Sequence, residues 1–173
     1  MIDTKLVHWS DPILKEEMPR FDFSDPQYDP VELSNTLIKV LQEHNALGVS
    51  ANQLGLRCRV FALRSQEPLV IFNPTIVNTE GEIVLPEGCL SYPGAYVRVK
   101  RPEFVRARIQ DPTGKMDTVH FGGITARAFL HELDHLDGVD FLQRVSDYHR
   151  NKAMNQMKKY QRLQKRIAAN EYA

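Results

Sequence analysis

Gly122-Gly123-Ile124-Thr125-Ala126-Arg127-Ala128-Phe129-Leu130-His131-Glu132-Leu133-Asp134-His135-Leu136-Asp137-Gly138 is the stretch on which the reading of this chain turns. Paired glycines open it, Gly138 closes it, and alanines and leucines dominate between them. The pattern predicts a buried helix over residues 124–136. His131 and His135 stand at i and i+4, which puts both imidazoles on one face, one turn apart. Two ring nitrogens at that distance can share one metal ion. Glu132 can lean over the metal's open position and exchange protons with a water. Two histidines on a buried helix can also simply bond to backbone, so the motif needs a third ligand to carry a metal.

Upstream the periodicity changes. Residues 58–63, 69–72, 76–78, 82–85, 96–99 and 104–109 are short β-rich runs, separated by turn signals at Asn73-Pro74, Glu80-Gly81, Pro93-Gly94 and Asp111-Pro112-Thr113-Gly114. Strands in sequence without interleaved helices indicate antiparallel sheet. Before them, Pro19 to Pro30 reads as a surface loop. Asp29-Pro30 reads as a cap with proline at the first helical position. Leu33, Leu37, Ile38, Val40 and Leu41 then continue at helical spacing over residues 30–45, with Gly48 as the stop. After residue 146 a third helix is expected to residue 169, with Met154, Met157, Tyr160, Leu163 and Ile167 as a narrow apolar stripe. The expected fold class is α+β: antiparallel β-sheets around a central metal-binding helix, with N-terminal and C-terminal helices. Residues 1–146 would form the catalytic domain, and residues 147–173 a basic amphipathic helix packed on it.

Composition narrows the class. The chain has 173 residues, 42% of them hydrophobic and 25% charged, which suits one globular domain. A chain this long buries roughly 70% of its unfolded surface and needs no metal merely to fold. No apolar window reaches about 18 residues and residues 1–10 lack the pattern of a secretory signal, so no membrane partner is expected and the cytoplasm is the expected compartment. The net charge of zero hides an asymmetry. Residues 147–173 carry seven basic and two acidic side chains, which leaves the rest 15 basic and 20 acidic, a net of −5. Two cysteines make no disulfide framework. Cys58 is followed by the apolar run Arg59-Val60-Phe61-Ala62-Leu63 and reads as core. Cys89, in Glu87-Gly88-Cys89-Leu90-Ser91, sits in a reachable loop and is the candidate third ligand, although a small buried core residue would look the same. In Ala46-Leu47-Gly48-Val49-Ser50-Ala51-Asn52-Gln53 small residues permit close approach of a substrate backbone, and Gln53 offers an amide donor to a developing oxyanion. A helix end followed by a strand would read similarly.

These three segments, in this order, resemble the motifs of peptide deformylases: G-x-G-φ-[AS]-A-x-Q (φ aliphatic), E-G-C-L-S and H-E-x-D-H. The second and third match in full, and the first departs once, with Ala46 where the family usually has glycine. The resemblance extends from the Asp11-Pro12-Ile13-Leu14 region to the terminal helix. It implies removal of the formyl group from the N-terminal formyl-methionine of nascent chains. It also implies Cys89, His131 and His135 as ligands of Fe(II), with zinc, nickel or cobalt as substitutes. Catalytic roles then fall to Glu132 as proton carrier and to Gln53 and the Leu90 backbone N–H as oxyanion donors. The substrate would lie as an added strand by Leu47, Gly48 and Gly88, with its methionine side chain near Leu85, Ile124, Ala128 and His131. Asp134 is read either as a partner of a ligand histidine or as a solvated residue, and Arg127 either as lining the mouth or as facing away. The basic tail is read as a solvated face or as a ribosome-docking element on an otherwise monomeric enzyme. Two rival readings remain: a zincin-type metallopeptidase, and a catalytically idle ribosome-binding module.

Overall fold

The computed structural model describes residues 2–171, so Met1 and the last two residues of the expected tail lie outside it. Among the described residues are three α-helices: α1 (Pro30–Glu43), α2 (Gly123–Leu136) and α3 (Asp147–Glu171). Seven strands accompany them: β1 (Gly48–Ser50), β2 (Val60–Leu63), β3 (Leu69–Glu80), β4 (Ile83–Glu87), β5 (Val97–Arg101), β6 (Phe104–Gln110) and β7 (Met116–Gly122). Five form one sheet in the order β1-β2-β3-β6-β7, and β4 with β5 forms a separate two-stranded ribbon. Every pairing is antiparallel. The α+β expectation holds.

Alternation along β2 and β3 explains the layering. Phe61, Leu63 and Ile71 point to a core shared with Phe129, Leu133 and Leu136 of α2. Val60, Ala62, Val70 and Phe72 point the other way, onto Leu33, Leu37, Val40 and Leu41 of α1. The two helices therefore cover opposite faces of the same strands, and all four residues of β2 are buried. Each fully buried Phe or Leu here contributes about 1.5–3 kcal/mol relative to exposure. A third core joins Tyr92, Val97, Val99, Phe141 and Leu142 to Ala153 and Met157 of α3.

Local chemistry sets the ends of the helices. The Asp29 side chain accepts from the Glu32 N–H at 2.7 Å, and Pro30 opens α1 as expected. The stop differs from expectation. α1 ends at Glu43, and Asn45 takes the left-handed conformation (φ 50°), while Gly48 opens β1 instead. Ala46 has no positive φ, so its departure from the family motif costs no backbone strain there. Asn73-Pro74, expected as a turn, lies inside β3. Asn73 adopts φ 50° and the register against β6 shifts between Phe72 and Thr75, so the pair makes a bulge in one long strand. β7 was not anticipated from the sequence. Only Val119 and Phe121 along it are even partly buried, so its pattern is weak. The first half of α3 packs through Ala153, Met154 and Met157, but Tyr160, Leu163 and Ile167 of the expected stripe are exposed. The terminal helix is thus anchored at one end and solvated at the other.

Candidate metal centre and substrate cleft

α2 crosses the molecule beneath a cleft of about 670 Å³. Cys89, His131 and Glu132 line it together with Gln53, Leu90, Leu47, Gly48, Gly88, Ile124, Ala128 and Arg127. Leu85 is the one expected substrate contact that does not line it. It sits in β4 paired with Val99, and its neighbours from Pro86 onward reach the cleft instead.

One ligand atom each from Cys89, His131 and His135 lies within 4.8 Å of the others, and this is the only such cluster of three among the described residues. Metal bonds of about 2.0–2.3 Å to nitrogen and sulfur in a tetrahedral site separate the donors by roughly 3.3–3.6 Å. The 3.1 Å between Cys89 Sγ and His135 Nε2 is close to that spacing. The type and spacing of these donors fit a small divalent ion.

Their surroundings support the fit. His131 Nδ1 faces Glu87 Oε2 at 3.0 Å, which turns its other nitrogen toward the cleft. Burial opposes charge on His131, yet contacts with Cys89 and Glu87 outweigh it and raise its pKa well above the ordinary imidazole value. The pocket thus attracts positive charge, which a cation would supply in place of a proton. His135 is held well below its ordinary value by burial and by His131, so it stays neutral, as a ligand must. Asn52 Nδ2 fixes the helix from below by donating to the His135 carbonyl at 2.6 Å.

Glu132 is buried beside these donors, and burial pushes its carboxyl up to about 7, opposed by His131. A group poised near neutrality suits proton transfer in both directions. Its Oε2 is buried without a hydrogen-bond partner among the described residues. Gly48 explains how the carboxylate is accommodated. A Cβ there would come within 2.5 Å of Glu132 Oε1 and 2.6 Å of its Cγ, so only glycine leaves room. Its φ is not positive; space rather than backbone conformation selects the residue.

Gln53 is held by reciprocal bonds. Its Oε1 accepts from the Ser50 N–H at 3.0 Å, and its Nε2 donates to Ser91 Oγ at 3.0 Å and faces Cys89 Sγ at 3.4 Å. The amide donor therefore points at the donor cluster.

Glu87 was missed as a functional residue, although a signal existed: it stands two positions before Cys89, and an extended chain sends alternate side chains to one side. It also accepts from Arg101 and Arg127, at 2.6 and 2.7 Å. Burial raises the Glu87 carboxyl, but His131 and Arg101 more than compensate and hold it well below the usual carboxylate range. Arg127 lines the cleft while its guanidinium turns inward to Glu87 and the Val99 and Ile83 carbonyls. Asp134 partners neither histidine. It accepts from Arg101 and Arg144, which ties α2 to β5 and to the segment before α3. Cys58 is core, with its thiol pushed up to about 12 by burial.

A sulfur and two imidazole donors gathered beside a buried carboxyl form a ligand set that a metal-dependent hydrolase can use. Comparison with known proteins narrows the class. Residues 4–151 match the family model described as polypeptide deformylase. The peptide deformylase of Desulforudis audaxviator is 36% identical over 151 residues, covering 86% of this chain and 97% of that protein. Peptide deformylase 1B of Arabidopsis thaliana (chloroplastic/mitochondrial) is 35% identical over 83% of this chain and 54% of its own length. The crystal structure of a peptide deformylase from Legionella pneumophila superposes with a TM-score of 0.87 at 31% identity, covering 94% of this chain and 97% of that one. A peptide deformylase from Synechococcus elongatus in complex with actinonin gives 0.83 at 29%, covering 90% and 88%. The chain belongs to the peptide deformylase family.

Proposed function

We propose that this chain is a metal-dependent hydrolase that removes the formyl group from the N-terminal formyl-methionine of nascent polypeptides, acting as a monomer in the cytoplasm. One observation carries the reading: ligand atoms of Cys89, His131 and His135 gather within 4.8 Å of one another, and Cys89, His131 and the buried Glu132 line an open cleft, with His135 just behind them. Membership of the deformylase family supports the reaction. No helix among the described residues is long and apolar enough to cross a membrane.

The chain's own groups divide the work. Cys89, His131 and His135 would hold Fe(II), with zinc, nickel or cobalt as substitutes. Bound there, such an ion acidifies a water toward neutrality and polarises the formyl oxygen. Glu132 accepts the proton of the attacking water and returns it to the leaving amine. Gln53 Nε2 and the Leu90 N–H donate to the oxygen that becomes negative. β1 is the edge strand of the five-stranded sheet, and Gly88 directly follows β4 of the separate ribbon. An extended peptide can therefore lie against Leu47, Gly48 and Gly88, with its methionine side chain directed to Ile124 and Ala128. A formyl carbon carries only hydrogen, so it fits against a metal floor where a preceding residue would clash.

The third donor of the cluster is a cysteine, and among the described residues no further histidine or carboxylate joins the three, which disfavours the zincin reading. The assay is deformylation of formyl-Met-Ala-Ser by anaerobically and aerobically prepared protein, alongside casein cleavage and metal analysis of the same samples. Release of formate without casein cleavage supports the reading, and loss of rate in air identifies iron. Casein cleavage without formate would contradict it.

The exposed half of α3 carries Lys158, Lys159, Arg162, Lys165 and Arg166, and these support docking on ribosomal RNA. Ala153 and Met157 are core residues, so deleting the whole helix would remove packing as well as charge. Replacing those five basic residues by glutamine is the cleaner change. Co-sedimentation with ribosomes is expected to fall while formyl-Met-Ala-Ser turnover persists; unchanged co-sedimentation would sink the docking idea.

A further inference from the structure

Four large apolar side chains lie exposed around one cleft: Leu47, Tyr96, Ile124 and Tyr160. Exposed apolar residues scattered singly need no explanation, but a cluster lining a concave surface marks something that binds there. Leu47 and Ile124 fall within the expected contacts for the peptide and its methionine. The two tyrosines do not.

Each tyrosine is seated against a glycine. A Cβ on Gly88 would meet the Tyr96 ring at 2.6 Å, and a Cβ on Gly94 would meet Tyr160 Cβ at 2.5 Å and Cγ at 2.7 Å. Gly94 also needs its glycine for φ 86°. Tyr160 therefore does not merely extend from α3 into solvent. The helix is anchored by Ala153 and Met157 one to two turns earlier, and Gly94 lets the residue close onto the loop Tyr92–Ala95. It retains 43% exposure, against 66% for Tyr96, so a broad aromatic surface is left facing the cleft.

What reaches that surface follows from the substrate's chemistry. A formyl terminus has no residue before it, and the methionine side chain is directed toward Ile124 and Ala128. Only residues after the methionine remain. We infer that Tyr160, on the C-terminal helix, is a specificity-determining residue whose ring forms the cleft wall for an apolar or aromatic side chain at the second or third substrate position. The inference rests on the deformylase reading of the site. It makes the terminal helix part of the substrate cleft, independent of any role for its basic face.

The test compares kcat and KM for formyl-Met-Ser-Ser, formyl-Met-Phe-Ser and formyl-Met-Ser-Phe in the metal-loaded wild-type protein, Tyr160→Ala and Tyr160→Phe. Wild type is expected to prefer at least one phenylalanine peptide over formyl-Met-Ser-Ser. Tyr160→Ala reduces that preference about 3- to 10-fold, mainly through KM, as expected for loss of one aromatic contact, whereas Tyr160→Phe keeps it. An unchanged preference in Tyr160→Ala, or none in wild type, would overturn the role of Tyr160. No formate from any of the three peptides would overturn the deformylase reading, and the inference with it.

Discussion

Exchanging Glu132 for glutamine is expected to lower kcat by about 10²- to 10⁴-fold, the usual range for a positioned acid–base group, with metal content unchanged from the wild type. Glutamine preserves the shape of the side chain but can no longer take a proton from water. The carboxylate contacts none of the described basic groups through a hydrogen bond, and its Oε2 has no partner, so the exchange breaks no ion pair. The fold should be unaffected by far-UV circular dichroism. Gly48→Ala offers an independent check on the same group. The added methyl would overlap Glu132 at 2.5–2.8 Å, so the carboxylate or β1 must shift. A displacement near 1 Å typically costs about 10²-fold in rate. Wild-type turnover in both variants would remove Glu132 from the chemistry.

Glu87→Gln is expected to destabilise the fold by about 3–5 kcal/mol, seen as a lower urea midpoint. The reason is charge balance. Glu87, Asp134, Arg101 and Arg127 are all buried, two of each sign, with contacts of 2.6–2.7 Å linking them. Neutralising Glu87 leaves two guanidinium groups facing one carboxylate. The double variant Glu87→Gln/Arg127→Met restores one of each and should recover at least half of the loss. If the double variant is less stable than the single one, packing by Arg127 rather than buried charge dominates. The single variant should also bind metal about 10–100-fold more weakly, because His131 loses the partner that orients its ring.

Much of the candidate site's geometry was legible because its spacing is local in sequence. The i, i+4 spacing of His131 and His135 survives any packing of α2, and Glu132 goes with it. Cys89 was identified by its residue type and loop position rather than by geometry; its approach to His135 depends on β4 and α2 meeting across 46 positions of chain. The buried ion network was not legible, since Arg101, Arg127 and Glu87 look like ordinary surface charges in a linear reading and become partners only when β4, β5 and α2 meet. Asp134 was misplaced for the same reason. Strand β1 is three residues long, too short to show a period, and β7 buries too little to alternate clearly. The exposure of Tyr160, Leu163 and Ile167 shows the limit of an apolar stripe: periodicity says which residues share a helix face, but not how far the body extends to cover it.

X-ray absorption at the edge of the bound metal, on protein with measured deformylase activity, examines the ligand set directly. One sulfur at about 2.3 Å and two imidazole nitrogens at about 2.0–2.1 Å are expected, with the sulfur lost and formate release abolished in Cys89→Ala. A shell without sulfur in the active wild-type protein would contradict the assignment of Cys89, His131 and His135 as joint holders of the ion.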